Sequence, residues 1–137
     1  MSFPVLVQAT VLWSDLDAYG HINNAVFFRW FEHARMAYLE RCGMVESYER
    51  NKVGAILHST SCRFRAPVFY PDTIEIATRA SDVAQDRFTM LYVATSTTRK
   101  IVVGEGSAIV VCFDYHTQTK APLPVSVRGR IHELEKS

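Results

Sequence analysis

With 137 residues, fifteen basic side chains against fourteen acidic ones and a net charge of +1, the chain offers no general electrostatic case for nucleic acid or a membrane surface as partner. A hydrophobic content of 48% with 21% charged residues excludes wholesale disorder and suffices for one domain, residues 1–137, with its own core. Cys42, Cys62 and Cys112 are widely spaced with no CxxC pair, the pattern of free thiols in a reducing compartment and not of a disulfide framework. The five histidines show no zinc-binding spacing, so no metal site is expected. The N-terminal MSFPVLVQAT lacks a basic start and an apolar signal core, and no apolar run approaches the ~20 residues that span a bilayer. A cytoplasmic location is expected.

Val5, Val7, Ala9, Val11 and Trp13 fall on alternate positions and predict a strand with one buried face. It runs into an Asp-rich turn. From Asn24 the period becomes helical: Phe27, Phe28, Trp30, Phe31, Ala34, Tyr38 and Leu39 form a broad apolar surface, with Arg29, Glu32, Arg35, Glu40 and Arg41 as the polar remainder. Asn23 or Asn24 is the expected N-cap and Gly43 the residue that ends the helix. About nineteen residues make a rod of roughly 28 Å, apolar enough to be largely enclosed by a sheet.

Met44 to Lys52 reads as a short helix or loop. Strands are predicted over Ala55 to Phe69, stopped by Pro67 and Pro71, then Thr73 to Ala80, Phe88 to about Thr95, and Ile101 to Tyr115. Gly104 and Gly106 inside the last of these predict a bulge or a close backbone approach. After His116 the tail carries Pro122, Pro124 and Gly129 and reads as a loop with a short terminal helix or disorder. One strand, one long helix and then four consecutive strands predict an α+β fold, an antiparallel sheet of about five strands wrapped around one central helix. One helix leaves a sheet edge or face to cover, so a homo-oligomer is expected.

Ser14 to Cys42 organises the chain. Its opening, D-L-D-A-Y-G-H-I-N-N at residues 15–24, leads into AVFFRWFEHAR and resembles the 4-hydroxybenzoyl-CoA thioesterase-type branch of the hot-dog-fold superfamily, within it the acyl-CoA thioesterases with a DxDxxGHxNN signature. The later CRFRAPVFYPDTIEI is similar to the middle region of that family. The resemblance covers about residues 5–115, with 116–137 as a tail. It implies a hot-dog domain, a homodimer or homotetramer with active sites at the dimer interface, hydrolysis of acyl-CoA to free acid and CoA, and no metal or organic cofactor. It further implies Asp17 as the essential carboxylate and the Asn24 backbone amide as the group that holds the thioester carbonyl.

The residues themselves fit such chemistry. Free N–H groups at a helix start suit a carbonyl oxygen that gains negative charge, and a carboxylate beside them can deprotonate water as general base or attack the acyl carbon directly. Asp15 is expected to serve the turn. His21, after Gly20, is a second candidate catalytic residue beside Asp17. Plant acyl-carrier-protein thioesterases carry a similar Asp and His with an Asn between them, where this chain has Tyr19. Glu32 is a rival carboxylate, three residues before Arg35, where an intrahelical ion pair is the simpler expectation.

Asn23, His58, Ser59 and Arg87 are expected to touch substrate, and Arg63, Arg65, Arg99 and Lys100 are further candidates for the CoA phosphates. Acyl-carrier protein is an alternative donor. The rival functions are a hot-dog dehydratase or hydratase acting through Asp17 with His21, and a non-catalytic acyl-binding oligomer.

Overall fold

A computed structural model describes residues 2–136. The first strand, β1 (Val5–Thr10), ends earlier than its alternation suggested, because Trp13–Asp15 winds into one turn of 3-10 helix. Then follow α1 (Ala25–Arg41), α2 (Met44–Asn51), β2 (Val53–Phe64), β3 (Thr73–Ser81), β4 (Arg87–Ser96), β5 (Ile101–Asp114), a two-residue β6 (Thr119–Lys120) and α3 (Val125–Glu135). The long strands form one antiparallel sheet in the order β1-β3-β4-β5-β2, with β6 added to β5. The fold is the α+β architecture expected from the order of elements, and the hot-dog fold that the resemblance implies.

Alternation along β3 and β4 sets the inner face. Ile74, Ile76, Thr78 and Ala80 on β3 and Phe88, Met90, Tyr92 and Ala94 on β4 are buried, while their neighbours are half-exposed. α1 lies on this face and buries Phe27, Trp30, Phe31, Ala34, Tyr38 and Leu39; each large side chain fully removed from water contributes about 1.5–3 kcal/mol. Phe31 stacks on Tyr92 with ring centroids 4.6 Å apart.

The helix can come this close because β5 offers two glycines. A Cβ on Gly104 would stand 2.6 Å from the Phe27 ring, and one on Gly106 would strike the Phe31 ring and sit 2.7 Å from the Ser61 carbonyl. The direction of α1 follows from these contacts. Its first turns pack at Phe64, the last residue of β2, where the Phe27 and Phe64 rings are 5.2 Å apart. Its last turns meet Ala55, near the start of β2. α1 and β2 therefore run in opposite senses.

One strand bound needs correction. The second strand ends at Phe64 and not Phe69: the Arg65 and Ala66 amides both turn to the Val103 carbonyl, and the Val68 carbonyl accepts the Ile22 amide. Of the two readings of the C-terminal tail, the loop with a short terminal helix holds: residues 121–124 are irregular and α3 follows them. Leu123, Val127 and Ile131 are buried, and α3 closes the sheet at the C-terminal end of α1. There Glu135 accepts the Tyr38 hydroxyl at 2.6 Å and the Ala80 amide at 2.8 Å.

Among the described residues β2 bonds to β5 on one side only. Its twelve residues span roughly 40 Å, and Ile56 to Ser61 are exposed. A register shift between Leu57 and Ser59 leaves His58 as an extra residue in the strand, a bulge of the kind common at edges.

Candidate active site

The mouth of α1 is shaped by a short loop between β1 and the helix. Leu16 and Ile22 form an antiparallel bridge, and inside it the Asp17 amide donates to the His21 carbonyl at 2.8 Å. Gly20 sits at φ +78, a backbone region that disfavours side chains with a Cβ. The Asp17 Oδ1 accepts the Tyr19 amide at 2.8 Å, which fixes the carboxylate. Its other oxygen, Oδ2, lies 3.6 Å from His21 Nδ1, and both side chains are partly exposed. The His21 ring is stacked with Tyr19 and edge-on to Phe69, at 6.3 and 6.2 Å.

The neighbouring carboxylate is used differently. Asp15 is buried; Arg29 Nη2 donates to both its oxygens at 3.1 Å, and the Leu12 amide donates to Oδ2 at 3.0 Å. Its backbone carbonyl accepts the Asn23 amide at 3.0 Å. Asp15 thus ties the 3-10 turn to the first turns of α1, and its oxygens are occupied.

Asn23 is the working cap. Its Oδ1 accepts the Ala25 amide at 3.0 Å and its carbonyl accepts the Val26 amide at 3.0 Å, while Asn24 already has helical φ and ψ of −55 and −30. Among the described residues the Asn24 amide has no hydrogen-bond partner. It is a free donor at the positive end of the helix dipole. An open cleft of about 350 Å³ adjoins it, lined by His21, Ile22, Asn24, Phe27, Phe64 and Pro67 among others. Asp17 stands behind this lining, its Oδ2 3.6 Å from the His21 that lines the cleft.

Asp17, His21, Asn23 and Asn24 are therefore brought together. His58 and Ser59 are not: both are exposed on β2, and Ser59 is five residues, roughly 17 Å of strand, from Phe64. Arg87 opens β4 opposite Val111 and bonds Asp86 at 2.9 Å, so it sits at the other end of the sheet. Of the basic candidates, Arg65 lines the cleft and pairs with Glu105 at 2.6 Å. Arg99 lies 5.2 Å over the Phe69 ring and donates to the Pro67 carbonyl. Arg35 forms no ion pair with Glu32; it turns inward and donates to the Tyr92 hydroxyl at 3.2 Å, leaving Glu32 exposed. The Tyr92 hydroxyl is a buried acceptor on the strand beneath, and a surface ion pair gains too little to compete.

Phe64 and Pro67 went unassigned to the cleft by sequence reasoning, whereas Phe27 was among the aromatics that could partly shape an acyl pocket. Phe27 also reads as core by its helical spacing, and Phe64 ends a strand whose limit was misplaced.

The model of one protein family, described as the thioesterase-like superfamily, matches residues 11–131. The chain belongs to that superfamily. As a member it is a thioester hydrolase, of the class and fold expected from the Asp15–Asn24 signature. Among relatives, it is 26% identical to a putative esterase of Aquifex aeolicus over 97% of this chain and 98% of that one. It is 23% identical to the long-chain acyl-CoA thioesterase FadM of Escherichia coli, over 94% and 98%. The crystal structure of a Thermus thermophilus thioesterase complexed with coenzyme A and zinc superposes with a TM-score of 0.86 at 27% identity, covering 99% of this thioesterase and 97% of the other. Among the described residues, no helix of this thioesterase is long and apolar enough to cross a membrane.

Proposed function

We propose that this thioesterase hydrolyses acyl-CoA to the free carboxylic acid and coenzyme A, with Asp17 as general base or nucleophile and the Asn24 amide as oxyanion donor. The observation that carries the reading is the half-occupied Asp17 carboxylate, its Oδ2 3.6 Å from His21 Nδ1, near a helix start whose Asn24 amide is unpaired among the described residues. Coenzyme A in the Thermus thermophilus structure and the acyl-CoA substrate in the name of FadM support the choice of donor.

As general base, Asp17 takes a proton from water while the water oxygen bonds to the acyl carbon. The carbonyl oxygen becomes an oxyanion that accepts the Asn24 N–H, an interaction typically worth about 3 kcal/mol in the transition state. Collapse breaks the C–S bond, and the CoA thiolate takes the proton. As nucleophile, Asp17 instead expels the thiolate and forms an anhydride that water opens. In either route His21 positions the carboxylate and the incoming water. The phosphates of CoA fall to Arg65 at the cleft, and an acyl group on acyl-carrier protein is the competing donor.

The active unit is a homodimer joined along β2, itself able to pair into a tetramer. A long exposed strand edge is a template for another strand, and pairing there also brings His58 and Ser59 to an interface. The free, buried Cys42 and Cys112 suit a cytoplasmic location.

Thiol release from short, long and aromatic acyl-CoAs, measured for wild type and Asp17→Asn, tests the assignment. The variant should lose at least about 100-fold in kcat, the range of a lost base or nucleophile, with an unchanged melting temperature. Equal rates would remove Asp17 from the chemistry.

A further inference from the structure

Residues 15–23 form a short antiparallel ribbon joined at three levels. The Asn23 amide donates to the Asp15 carbonyl at 3.0 Å, Leu16 bridges Ile22, and the Asp17 amide donates to the His21 carbonyl at 2.8 Å. The Gly20 amide closes the tip on the Asp17 carbonyl at 3.1 Å. Asp17 and His21 are therefore paired next to the tip, and Asn24 follows directly from the base.

The two strands of the ribbon are held to the body of the protein by different means. The returning strand is anchored by Ile22, which is buried and gives its amide to the Val68 carbonyl at 2.8 Å. The outgoing strand, which carries Asp17, has no buried apolar side chain. Leu12, Trp13 and Tyr19 are 50%, 73% and 86% exposed, and of residues 12–21 Asp15 alone is buried. Its anchor is thus a carboxylate.

A buried carboxylate is tolerated only where its charge is met. Arg29 Nη2 donates to both Asp15 oxygens at 3.1 Å, and the Leu12 amide adds a third bond at 3.0 Å. Arg29 stands on α1, just over one turn beyond Asn24. The pair joins the base of the ribbon to the helix whose first turn presents the Asn24 amide.

Asp17 takes its place only through this ribbon. Its Oδ1 is held by the Tyr19 amide within the ribbon itself, so the carboxylate moves with its strand. Without the Arg29 contact that strand can pivot about Ile22, and Asp17 shifts against a carbonyl bound at Asn24. A misplacement of about 1 Å can cost about 100-fold in rate.

We propose that Asp15 and Arg29 are positioning residues for the hydrolysis: their ion pair fixes the strand carrying Asp17 against α1 and so sets the reach from that carboxylate to a carbonyl held at Asn24. The proposal rests on the Asp17 and Asn24 reading above and adds the pair through which the fold maintains that geometry.

Arg29→Met keeps an unbranched stem and removes the charge-assisted bonds. At 25 °C its kcat on acetyl-CoA should fall about 10- to 100-fold with KM within about twofold, because alignment is lost and binding is not. Arg29→Lys should return kcat to within about fivefold of wild type, since one nitrogen makes both contacts and an ammonium can replace it. A pair that served stability alone would lower the melting temperature and leave kcat of the folded enzyme unchanged, and that result overturns the proposal. In the Asp17→Asn background Arg29→Met should cost less than about twofold more, since groups that act as a unit do not add. A second full-sized fall there would mean that Arg29 touches substrate directly, and the proposal falls.

Amide hydrogen exchange separates the positioning from the chemistry. In Arg29→Met the Asp17 and Asn23 amides should exchange at least about tenfold faster relative to those of β4. Loosened ribbon amides together with full activity in Asp17→Asn would overturn the Asp17 reading and the positioning role with it. Unchanged ribbon amides with a low kcat in Arg29→Met overturn the positioning role alone.

Discussion

The two ends of α1 solve opposite problems with similar groups. At the C-terminal end, Tyr38 is buried and gives its hydroxyl to Glu135, which also accepts the Ala80 amide and lies 3.8 Å from Arg79. Burial, and then the Glu135 carboxylate beside it, push the Tyr38 phenol far above its usual range, so it stays a hydrogen-bond donor. At the N-terminal end, the Asn24 amide is unpaired among the described residues, and one Asp17 oxygen faces only a partly exposed histidine. The contrast is one of satisfaction. Polar groups bonded to one another stabilise the fold, and an end with spare donors and acceptors can bind something else.

The largest expected break of this contrast in stability is Glu135→Ala. It strips the acceptor from the Tyr38 hydroxyl and the Ala80 amide together, at a cost of about 2–3 kcal/mol for stranded buried donors. Chemical denaturation should show that loss while kcat on acetyl-CoA at 25 °C stays within about twofold, a bound set by additivity of distant sites. A proportionate fall in kcat would mean that the two ends are coupled and the contrast is wrong.

The sequence disclosed these ends unequally. α1 was legible nearly to the residue, since Phe27, Trp30, Phe31, Ala34 and Tyr38 recur at helical spacing between Asn23 and Gly43. β3 and β4 were equally plain because one face of each is buried in strict alternation. The loop that brings Asp17 to His21 was visible as a motif, although the occupied state of Asp15 was not, because Arg29 reaches it from fourteen positions away. α3 was legible only as one of two alternatives, a short terminal helix or disorder: it presents only Val127 and Ile131 as buried residues, between Pro124 and the polar end of the chain, and its stability comes from a tertiary surface that no local pattern encodes. The Arg35 contact failed for the same reason, since its Tyr92 partner is on a strand 57 residues later.

A further carboxylate, Asp72, sharpens the meaning of satisfaction. Asp72 is buried and accepts the Ser96 hydroxyl at 2.6 Å, the Thr73 amide at 2.7 Å and the Thr98 amide at 3.4 Å. Burial favours its neutral form, but the bonds from Ser96, Thr98 and Thr73 together win and hold its carboxyl below the ordinary 3.8. A depressed value in the folded state stabilises the fold above the unfolded pKa and loses that stabilisation as pH falls through the folded one. Ser96→Ala should cost about 1–2 kcal/mol at pH 7, with the gap to wild type narrowing in urea titrations once the pH falls below 3.8. A gap that widens in acid would show that Ser96 acts by packing and not through the Asp72 charge.

The smallest effect separates stability from chemistry at one residue. Asn23 accepts the Ala25 amide through Oδ1 and so fixes the first turn that presents Asn24. Asn23→Ala should lower stability by about 1 kcal/mol, the usual cost of a lost cap. Asn23→Asp keeps the acceptor and adds a negative charge that the helix dipole favours, regaining that loss or exceeding it by about 0.3–1 kcal/mol. The same charge stands next to the amide that must stabilise an oxyanion, so turnover should fall although the protein melts higher. Melting temperature and kcat of the two variants are thus expected to rank in opposite orders. If they rank together, the Asn24 amide serves only the helix, and the open end of α1 is as structural as the closed one.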